Sequence, residues 1–351
     1  MYLLFSTCRG VMQDRTVTFY IPDLFVPAKS IPGLDRELAL DELALLLSRA
    51  NHKRSRTASY DEGLFGLFGG CGVSGAFPVA PITRLIDCEE RDNSYWLRAD
   101  PVHLQPNRDQ VVMLGNSMLN IRNEEVQLIR DEFNGLFVED GLYLETPVNH
   151  RWYLRCEKTP QICTTPLERV VGKNIDTYLP KGGEALYWHK LLSEAQMLFY
   201  GSSVNQRRRE EGCPEINSVW MWGGGYLPEA QPVSWRTVWG NDVLSRGLAL
   251  LHDVEQATLP ESLDEWLELA TEGEHLIAFD GAHSAIKEQN ILAWKAFVES
   301  LESDWVGPAI QALKTGELSQ INLVTDGGSY ELTAKRLKRW WRKRRPFTVH
   351  A

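Results

Sequence analysis

The spacing of apolar residues divides the chain into segments of helical period and short runs typical of strands. Apolar side chains three and four positions apart predict helices in four segments: Leu34–Ala50, Glu124–Phe137, Glu184–Tyr200 and Asn290–Leu301. Short apolar and β-branched runs predict strands at Thr16–Ile21, Tyr95–Ala99, Gln110–Leu114, Leu142–Thr146, Arg151–Arg155, His275–Phe279 and Gln320–Thr325. We expect the segment from Asp100 to Pro106 to connect two of these strands.

The order of these elements predicts the fold class and a division of the chain. After Gly225 strands alternate with helices, which predicts a parallel sheet covered by helices. The middle of the chain is instead rich in hairpins. We therefore predict a three-layer α/β protein with a mainly parallel sheet, in four parts: an N-terminal extension (residues 1–15), a split α/β core (16–90 and 218–334), an inserted α+β cap domain (91–217) and a basic C-terminal tail (335–351).

Composition narrows the class of protein. The 351 residues are 43% apolar and 24% charged, which is typical of a globular chain long enough for two domains. Six cysteines without Cys-x-x-Cys or zinc spacing favour free thiols in a reducing compartment. No apolar stretch reaches the length of a membrane span, and the first apolar run is too short for a signal peptide. These features predict a cytoplasmic protein.

Charge is distributed unevenly. The segment from Lys335 to Arg345 holds eight basic residues and no acidic one, so the rest of the chain carries 29 basic against 47 acidic residues, a net charge of −18. Apolar spacing from Tyr330 to Trp341 predicts a helix whose basic face is solvated. The alternative is a docking tail for nucleic acid, an anionic surface or an acidic partner.

A polar segment in the middle of the chain has the most distinctive spacing. Asn205, Arg208, Gly212 and Asn217 precede an apolar run that ends in three glycines, Gly223–Gly225. This order predicts a loop that presents a polar cluster, then a buried strand, then backbone that approaches a ligand closely.

Arginines elsewhere extend this candidate anion site. Arg98, Arg151 and Arg208 could form a clamp for phosphate or carboxylate, because guanidinium groups bind those anions bidentately. The candidate ligand-binding set is then Arg98, Arg151, Asn205, Arg208, Asn217, Gly223 and Gly225. Alternatively, each arginine pairs with an acidic neighbour and has a structural role. Asp100 and His103 are a further candidate, for an acid–base pair, and the alternative is that their segment forms a proline-fixed turn.

The segment from Asn205 to Gly225 resembles part of the archaeal-type cofactor-independent phosphoglycerate mutases. The spacing Asn-x-x-Arg-x-x-x-Gly-x-x-x-x-Asn, followed by Trp-Gly-x-Gly, carries the resemblance, and a less specific similarity covers residues 95–330. The whole-chain pattern is closer to the bacterial RpfE-type regulatory proteins, relatives of these mutases. The resemblance implies an alkaline-phosphatase-like core, and in the mutases this core carries two-metal phosphoryl transfer.

The resemblance also implies which residues would hold metal. It places ligand positions at Asp23, Asp280, His283 and Asp326. The late strand ends in Asp326-Gly327, where the mutases have an Asp-His pair, and no histidine lies between His283 and His350. The remaining ligands suit a single Mn²⁺ or Mg²⁺ ion, not two.

A nucleophile is also hard to assign. Ser59 and Thr57 are the nearest candidates, and neither has the pattern that surrounds the nucleophile in the mutases. The leading hypothesis is therefore a degenerate, non-catalytic mutase-like protein that binds a phosphorylated small molecule or a protein partner in a regulatory role, with no assigned cofactor. The second is an active metal-dependent phosphoglycerate mutase or phosphatase with a rearranged site, and the third a nucleic-acid-associated protein that binds through Lys335–Arg345.

Overall fold

The computed structural model describes residues 14–31, 34–55, 59–70, 77–108, 110–115 and 118–350. Residues 1–13 of the expected N-terminal extension, and the nucleophile candidate Thr57, lie outside the described residues. The strands are β1 (Arg15–Tyr20), β2 (Asn51–Arg54), β3 (Tyr95–Asn107), β4 (Gln110–Leu114), β5 (Leu142–Val148), β6 (Arg151–Cys156), β7 (Ser218–Gly225), β8 (Trp235–Trp239), β9 (Glu255–Ala257), β10 (Gly273–Ala278), β11 (Gln320–Thr325) and β12 (Gly328–Thr333).

The α-helices are α1 (Val26–Ser30), α2 (Leu34–Glu37), α3 (Asp41–Arg49), α4 (Tyr60–Leu67), α5 (Val79–Cys88), α6 (Asn123–Phe137), α7 (Ala185–Gly201), α8 (Ser203–Glu210), α9 (Val243–Leu251), α10 (Leu263–Leu269), α11 (Gly281–Lys287), α12 (Ile291–Ser300), α13 (Gly307–Thr315) and α14 (Ala334–Leu337). A π-helical turn, Leu301–Val306, joins α12 to α13, and short 3-10 helices lie at Val138–Asp140, Leu167–Arg169, Ile175–Thr177 and Phe347–His350. Among the described residues, no helix is both long and apolar enough to cross a membrane.

The chain folds into two compact units, one of which is discontinuous. Residues up to Gly69 and from Pro232 onward form the first unit, and Gly70–Gln231 forms the second. The second unit is longer than the cap expected over residues 91–217, because β7 pairs with β3 and α5 packs against both strands.

The first unit contains a seven-stranded sheet in the order β2-β12-β11-β1-β10-β8-β9. β1 lies in the middle and pairs in parallel with β10 and β11, so that Thr18 is opposite both Leu276 and Asn322. Antiparallel pairing occurs at one edge, between β11 and β12 and between β12 and β2, so that among the described strands of this sheet β12 runs opposite to the rest. The mainly parallel α/β fold predicted from alternating strands and helices is confirmed.

The second unit contains an antiparallel sheet built around one long strand. β3 pairs with β6 along its first residues, with β7 along its middle and with β4 along its end. The segment from Asp100 to Pro106 is therefore part of β3, and the expectation that it connects two strands was wrong. The apolar faces of α6 and α7 bury Ile129, Phe133 and Phe199 against this sheet.

Three other local predictions differ from the structure. The helix expected over Leu34–Ala50 is two helices, because Glu302 accepts the N–H groups of Glu42 (2.6 Å) and Leu43 (2.8 Å) and so begins a new helix there. The first residues of the predicted polar loop form α8. The C-terminal helix covers only Ala334–Leu337, since Tyr330 lies in β12.

Candidate functional site

Acidic side chains collect at one edge of the sheet in the first unit. β11, β1, β10 and β8 are adjacent and parallel, so their carboxyl ends meet at the same edge. Each strand is followed within three residues by an aspartate; these are Asp326, Asp23, Asp280 and Asp242. Ligands of open α/β sheets bind outside the carboxyl ends of the strands, so this edge is the candidate site.

Three of the four predicted metal-ligand residues are in direct contact. Asp23 Oδ2 lies 2.6 Å from His283 Nδ1, and the backbone N–H of Asp23 donates to Asp326 Oδ2 at 2.8 Å. Asp23 has a left-handed φ of 58°, which aspartate tolerates better than most residues and which directs its N–H group toward the next strand end. The fold thus brings together side chains separated by up to 303 positions.

Two tyrosines line the same edge. The Tyr60 ring is stacked on His283, with centroids 4.8 Å apart and planes at 25°. The Tyr20 hydroxyl donates to the Tyr60 carbonyl at 2.7 Å. Burial raises the pKa of Tyr20, and the charges of Asp326 and Asp61 raise it further. Burial likewise raises the pKa of Tyr60, together with the charge of Asp242. Both phenols are therefore neutral.

Two further carboxylates, Asp61 and Asp242, belong to this cluster and were not predicted from the sequence. Asp242 caps α9 by accepting the N–H groups of Leu244 (3.0 Å) and Ser245 (2.9 Å). Burial raises its pKa, against the opposing effect of the hydrogen bonds from Ser245. An aspartate three residues beyond a buried strand, at the start of a helix, is the sequence signal that could have identified it.

The donor set fits two-metal chemistry poorly. Carboxylates suit a hard cation such as Mn²⁺ or Mg²⁺. His283 Nδ1 contacts Asp23, so this imidazole would have to bind an ion through Nε2, and Asp326 Oδ2 accepts a backbone N–H group. Within the described ranges, no three histidine, cysteine, aspartate or glutamate side chains form a group that could hold a metal ion. An ion at this edge would be held by the carboxylates of Asp23, Asp280 and Asp326, and it would supply positive charge to a bound phosphate.

The nucleophile candidate Ser59 has a structural contact. Its hydroxyl accepts the N–H group of Glu62 at 3.2 Å and caps the start of α4. Tyr60 and Asp61 follow it directly, which is how α4 delivers both side chains to the site.

The arginines of the predicted anion clamp lie in the second unit, and each is paired there with an acidic residue. Arg98 binds Asp100 at 2.5 Å, and Arg208 binds Glu125 at 2.8 Å with both side chains almost fully buried. Arg151 binds Asp87 at 2.6 Å. The alternative interpretation, pairing with acidic neighbours, describes these contacts.

The other members of the predicted anion site also have internal contacts. Asn205 binds the carbonyl groups of Phe199 and Ile216, and Asn217 binds both backbone groups of Leu104. The glycines allow close packing on α5: a Cβ at Gly223 would lie 3.0 Å from Val79 Cβ, and one at Gly225 would lie 2.5 Å from Pro78 Cβ. The hydrogen bonds of the two asparagines and the packing of the glycines therefore join α8, β3, β7 and α5.

Asp100 and His103 are not an acid–base pair. Asp100 Oδ2 accepts the Trp222 indole N–H at 2.8 Å, beside its contact with Arg98. His103 Nδ1 contacts the Glu215 carbonyl at 2.8 Å, and its ring lines a cavity of about 560 Å³ within the second unit.

The fold and the strand-end aspartates define an α/β protein with a candidate site at the carboxyl edge of its parallel sheet. No family model matches the chain. Its relatives among characterised sequences are phosphoglycerate mutases. The 2,3-bisphosphoglycerate-independent phosphoglycerate mutase of Methanothrix thermoacetophila is 29% identical over 188 residues, 47% of this chain and 46% of that protein.

Other relatives match shorter segments. A probable mutase of the same description from Geobacter sulfurreducens is 26% identical over 160 residues, 44% of this chain and 39% of that protein. The Methanosarcina mazei mutase is 37% identical over 67 residues, 19% of this chain and 17% of that protein. The similar segments span less than half the length of each of these relatives.

Solved structures resemble the chain over nearly all its length. A protein from Pyrococcus horikoshii covers 91% of this chain and 86% of its own, at 12% identity and a TM-score of 0.54. A cofactor-independent phosphoglycerate mutase from Thermoplasma acidophilum covers 97% and 95%, at 12% identity and a TM-score of 0.49. The fold is of the alkaline-phosphatase-like type.

Proposed function

We propose that this is a phosphoglycerate-mutase-like protein of the RpfE regulatory type, which binds a phosphorylated small molecule or a protein partner and does not transfer phosphate. The arrangement of His283 is the main support. Its Nδ1 atom lies 2.6 Å from Asp23 Oδ2, and its ring is stacked on Tyr60. This imidazole joins the segment after β1 to α4 and α11, and any contact with a metal ion would have to come from its Nε2 atom, so that the site has at most one imidazole donor where the mutases have several.

The missing imidazoles support the same proposal. Asp326 is followed by Gly327, and the chain has no histidine between His283 and His350. Two-metal phosphoryl transfer stabilises the attacking and leaving oxygens with two ions held close together. The residues that converge here offer mainly carboxylate oxygen, which suits a single cation at most.

A metal-dependent mutase or phosphatase with a rearranged site is the second candidate. Asp61 and Asp242 favour it, because they add two carboxylates to Asp23, Asp280 and Asp326. Without a cation this cluster repels phosphate. We therefore expect 3-phosphoglycerate to bind near it only when Mn²⁺ or Mg²⁺ is present.

Turnover and binding assays distinguish the two candidates. The protein is assayed with 3-phosphoglycerate and p-nitrophenyl phosphate in Mn²⁺ or Mg²⁺, beside Asp326→Asn and the control Asp264→Asn on an exposed position of α10. The proposal expects no turnover above that of Asp326→Asn, with cation-dependent 3-phosphoglycerate binding by calorimetry. Turnover that survives in Asp264→Asn and disappears in Asp326→Asn would establish the enzyme instead.

A further inference from the structure

Two basic segments far apart in the sequence lie side by side in the first unit. Arg339 donates to the Arg49 carbonyl at 3.4 Å and to Asn51 Oδ1 at 2.7 Å, across 290 and 288 positions of the chain. Arg342 donates to the Ala50 carbonyl at 2.7 Å. The backbone N–H of Arg345 donates to Ser48 Oγ at 2.9 Å. These contacts fix the C-terminal segment along the end of α3 and the start of β2.

The two segments together form an exposed basic surface. β2 is an edge strand whose four residues are all exposed, including Lys53 and Arg54. Lys338 and Lys343 are exposed on the C-terminal segment. In the part of the chain that the structure describes, none of these four side chains has an ion-pair partner. We call residues 51–54 with 335–345 the basic-tryptophan surface.

Two large aromatic side chains stand on the same surface. Trp340 is 79% exposed and Trp341 is 64% exposed. Their rings are nearly perpendicular, at 85°, with centroids 6.1 Å apart. Two adjacent exposed indoles leave much apolar area in water, which is unfavourable unless a partner covers it. By contrast, Trp220, Trp222 and Trp239 are buried.

We propose that the basic-tryptophan surface docks on an anionic phospholipid bilayer. Indole rings favour the level of the lipid headgroups, where one end of the ring is apolar and the other can hydrogen-bond. Clusters of lysine and arginine beside them are attracted to the negative potential of anionic lipid. Both features occur here within eleven residues of chain and one edge strand. This proposal does not depend on the proposed function of the aspartate cluster.

The shape and charge of the surface favour a bilayer over a nucleic acid. Proteins that bind single strands stack successive bases along a positive groove. The perpendicular rings of Trp340 and Trp341 do not form a continuous stacking platform. A strand longer than this surface would also continue over a chain whose residues outside Lys335–Arg345 carry a net charge of −18. A bilayer contacts only the face that is presented to it.

Vesicle binding tests the proposal on the full-length chain. Co-sedimentation is measured with phosphatidylcholine vesicles and with phosphatidylcholine–phosphatidylserine vesicles. We expect binding only to the second kind, with a loss at high salt. Each basic side chain near such a surface contributes roughly a fivefold change in partition, so Lys53→Gln/Arg54→Gln and Lys338→Gln/Lys343→Gln should each lower partition by about tenfold or more.

Control variants distinguish binding by the basic-tryptophan surface from binding by positive charge elsewhere on the chain. Lys158→Gln/Lys181→Gln removes the same charge from exposed positions of the second unit and should leave binding unchanged. Trp340→Ser/Trp341→Ser should lower partition and remove quenching of tryptophan emission by brominated lipid. Equal binding to neutral vesicles, or an equal loss in the control variant, overturns the proposal. Tighter binding of a labelled single-stranded oligonucleotide, lost in the same variants, overturns it in favour of nucleic acid.

Discussion

At the scale of single residues, the distinctive polar motif has a structural role. Arg208 is almost fully buried, donates to the carbonyl groups of Leu119 and Pro214, and pairs with Glu125. The pKa of Glu125 is raised by burial but lowered more by Arg122 and Arg208, so that the carboxylate is charged. Removal of one member leaves the other charge buried without its partner.

Arg208→Ala should lower the free energy of unfolding by about 3–5 kcal/mol, because it removes the buried partner of Glu125, which keeps only Arg122, and leaves the carbonyl groups of Leu119 and Pro214 without their donor. Arg209→Ala on the same helix is the matched control. Its pair with Glu215 is more exposed, so we expect a loss of about 0–1 kcal/mol. Urea unfolding measures both values. Similar losses in the two variants would contradict a structural role for Arg208.

His275 should make stability depend on pH. Burial lowers its pKa, and Trp239 donates to its Nδ1 while its Nε2 contacts the Thr271 carbonyl. The folded state therefore holds a neutral ring, whereas the unfolded chain takes up a proton below about pH 6.5. Stability is present above that pH and is lost as pH falls toward the lowered folded pKa.

The check is unfolding by urea between neutral and mildly acidic pH. His275→Gln should reduce the loss of stability on acidification, although it lowers stability at neutral pH. An unchanged pH dependence in His275→Gln would refute this account.

At the scale of elements, the contact between α5 and β7 depends on glycine. Gly225→Ala would bring a Cβ to within 2.5 Å of Pro78 Cβ. We expect the melting temperature to fall, with a cost of about 1–3 kcal/mol from overpacking. Gly135→Ala on α6 is the control, because its Cβ would meet nothing within 4 Å. That variant should be stabilised by up to about 1 kcal/mol through helix propensity.

Elements with a strong local pattern could be predicted from the sequence. α6, α7 and β11 carry their apolar periodicity within one segment, and their predicted bounds agree closely with the structure. The break between α2 and α3 could not be predicted, because the group that caps α3, Glu302, lies 260 residues away. Two prolines hid the continuity of β3, whose middle residues pair with β7.

In the candidate site, too, some residues could be predicted from the sequence and others could not. Asp23, Asp280, His283 and Asp326 were predicted as metal ligands through resemblance, and the parallel order of the strands explains why they lie at the same edge of the sheet. Asp61, in the first turn of α4, and Asp242, the N-cap of α9, were missed, because an aspartate at the start of a helix looks the same in sequence wherever its helix lies. Their membership in the cluster depends on the strand order, which no local pattern contains.

At the scale of the whole molecule, one unit is formed by two separate segments of the chain and the other by a single continuous segment. The second unit is continuous, and its strands pair with one another. Residues 70–231 expressed alone should therefore unfold cooperatively on heating, as measured by circular dichroism. Residues 232–351 alone should not, because they lack the central strand β1 and its buried Val17 and Phe19. A cooperative transition in that fragment would show that β1 is dispensable.

The central position of β1 also affects synthesis on the ribosome. Its partners β10 and β11 are made about 260 and 300 residues later. At about 5–20 residues per second, β1 waits roughly 15–60 s for both neighbours, while the inserted unit is completed first. During that interval β1 exposes its apolar side chains and two unpaired edges, and we expect a chaperone that acts on nascent chains to bind it. Slow synthesis between β1 and β11 should therefore reduce yield, whether the delay falls in residues 70–231 or in the residues that follow them.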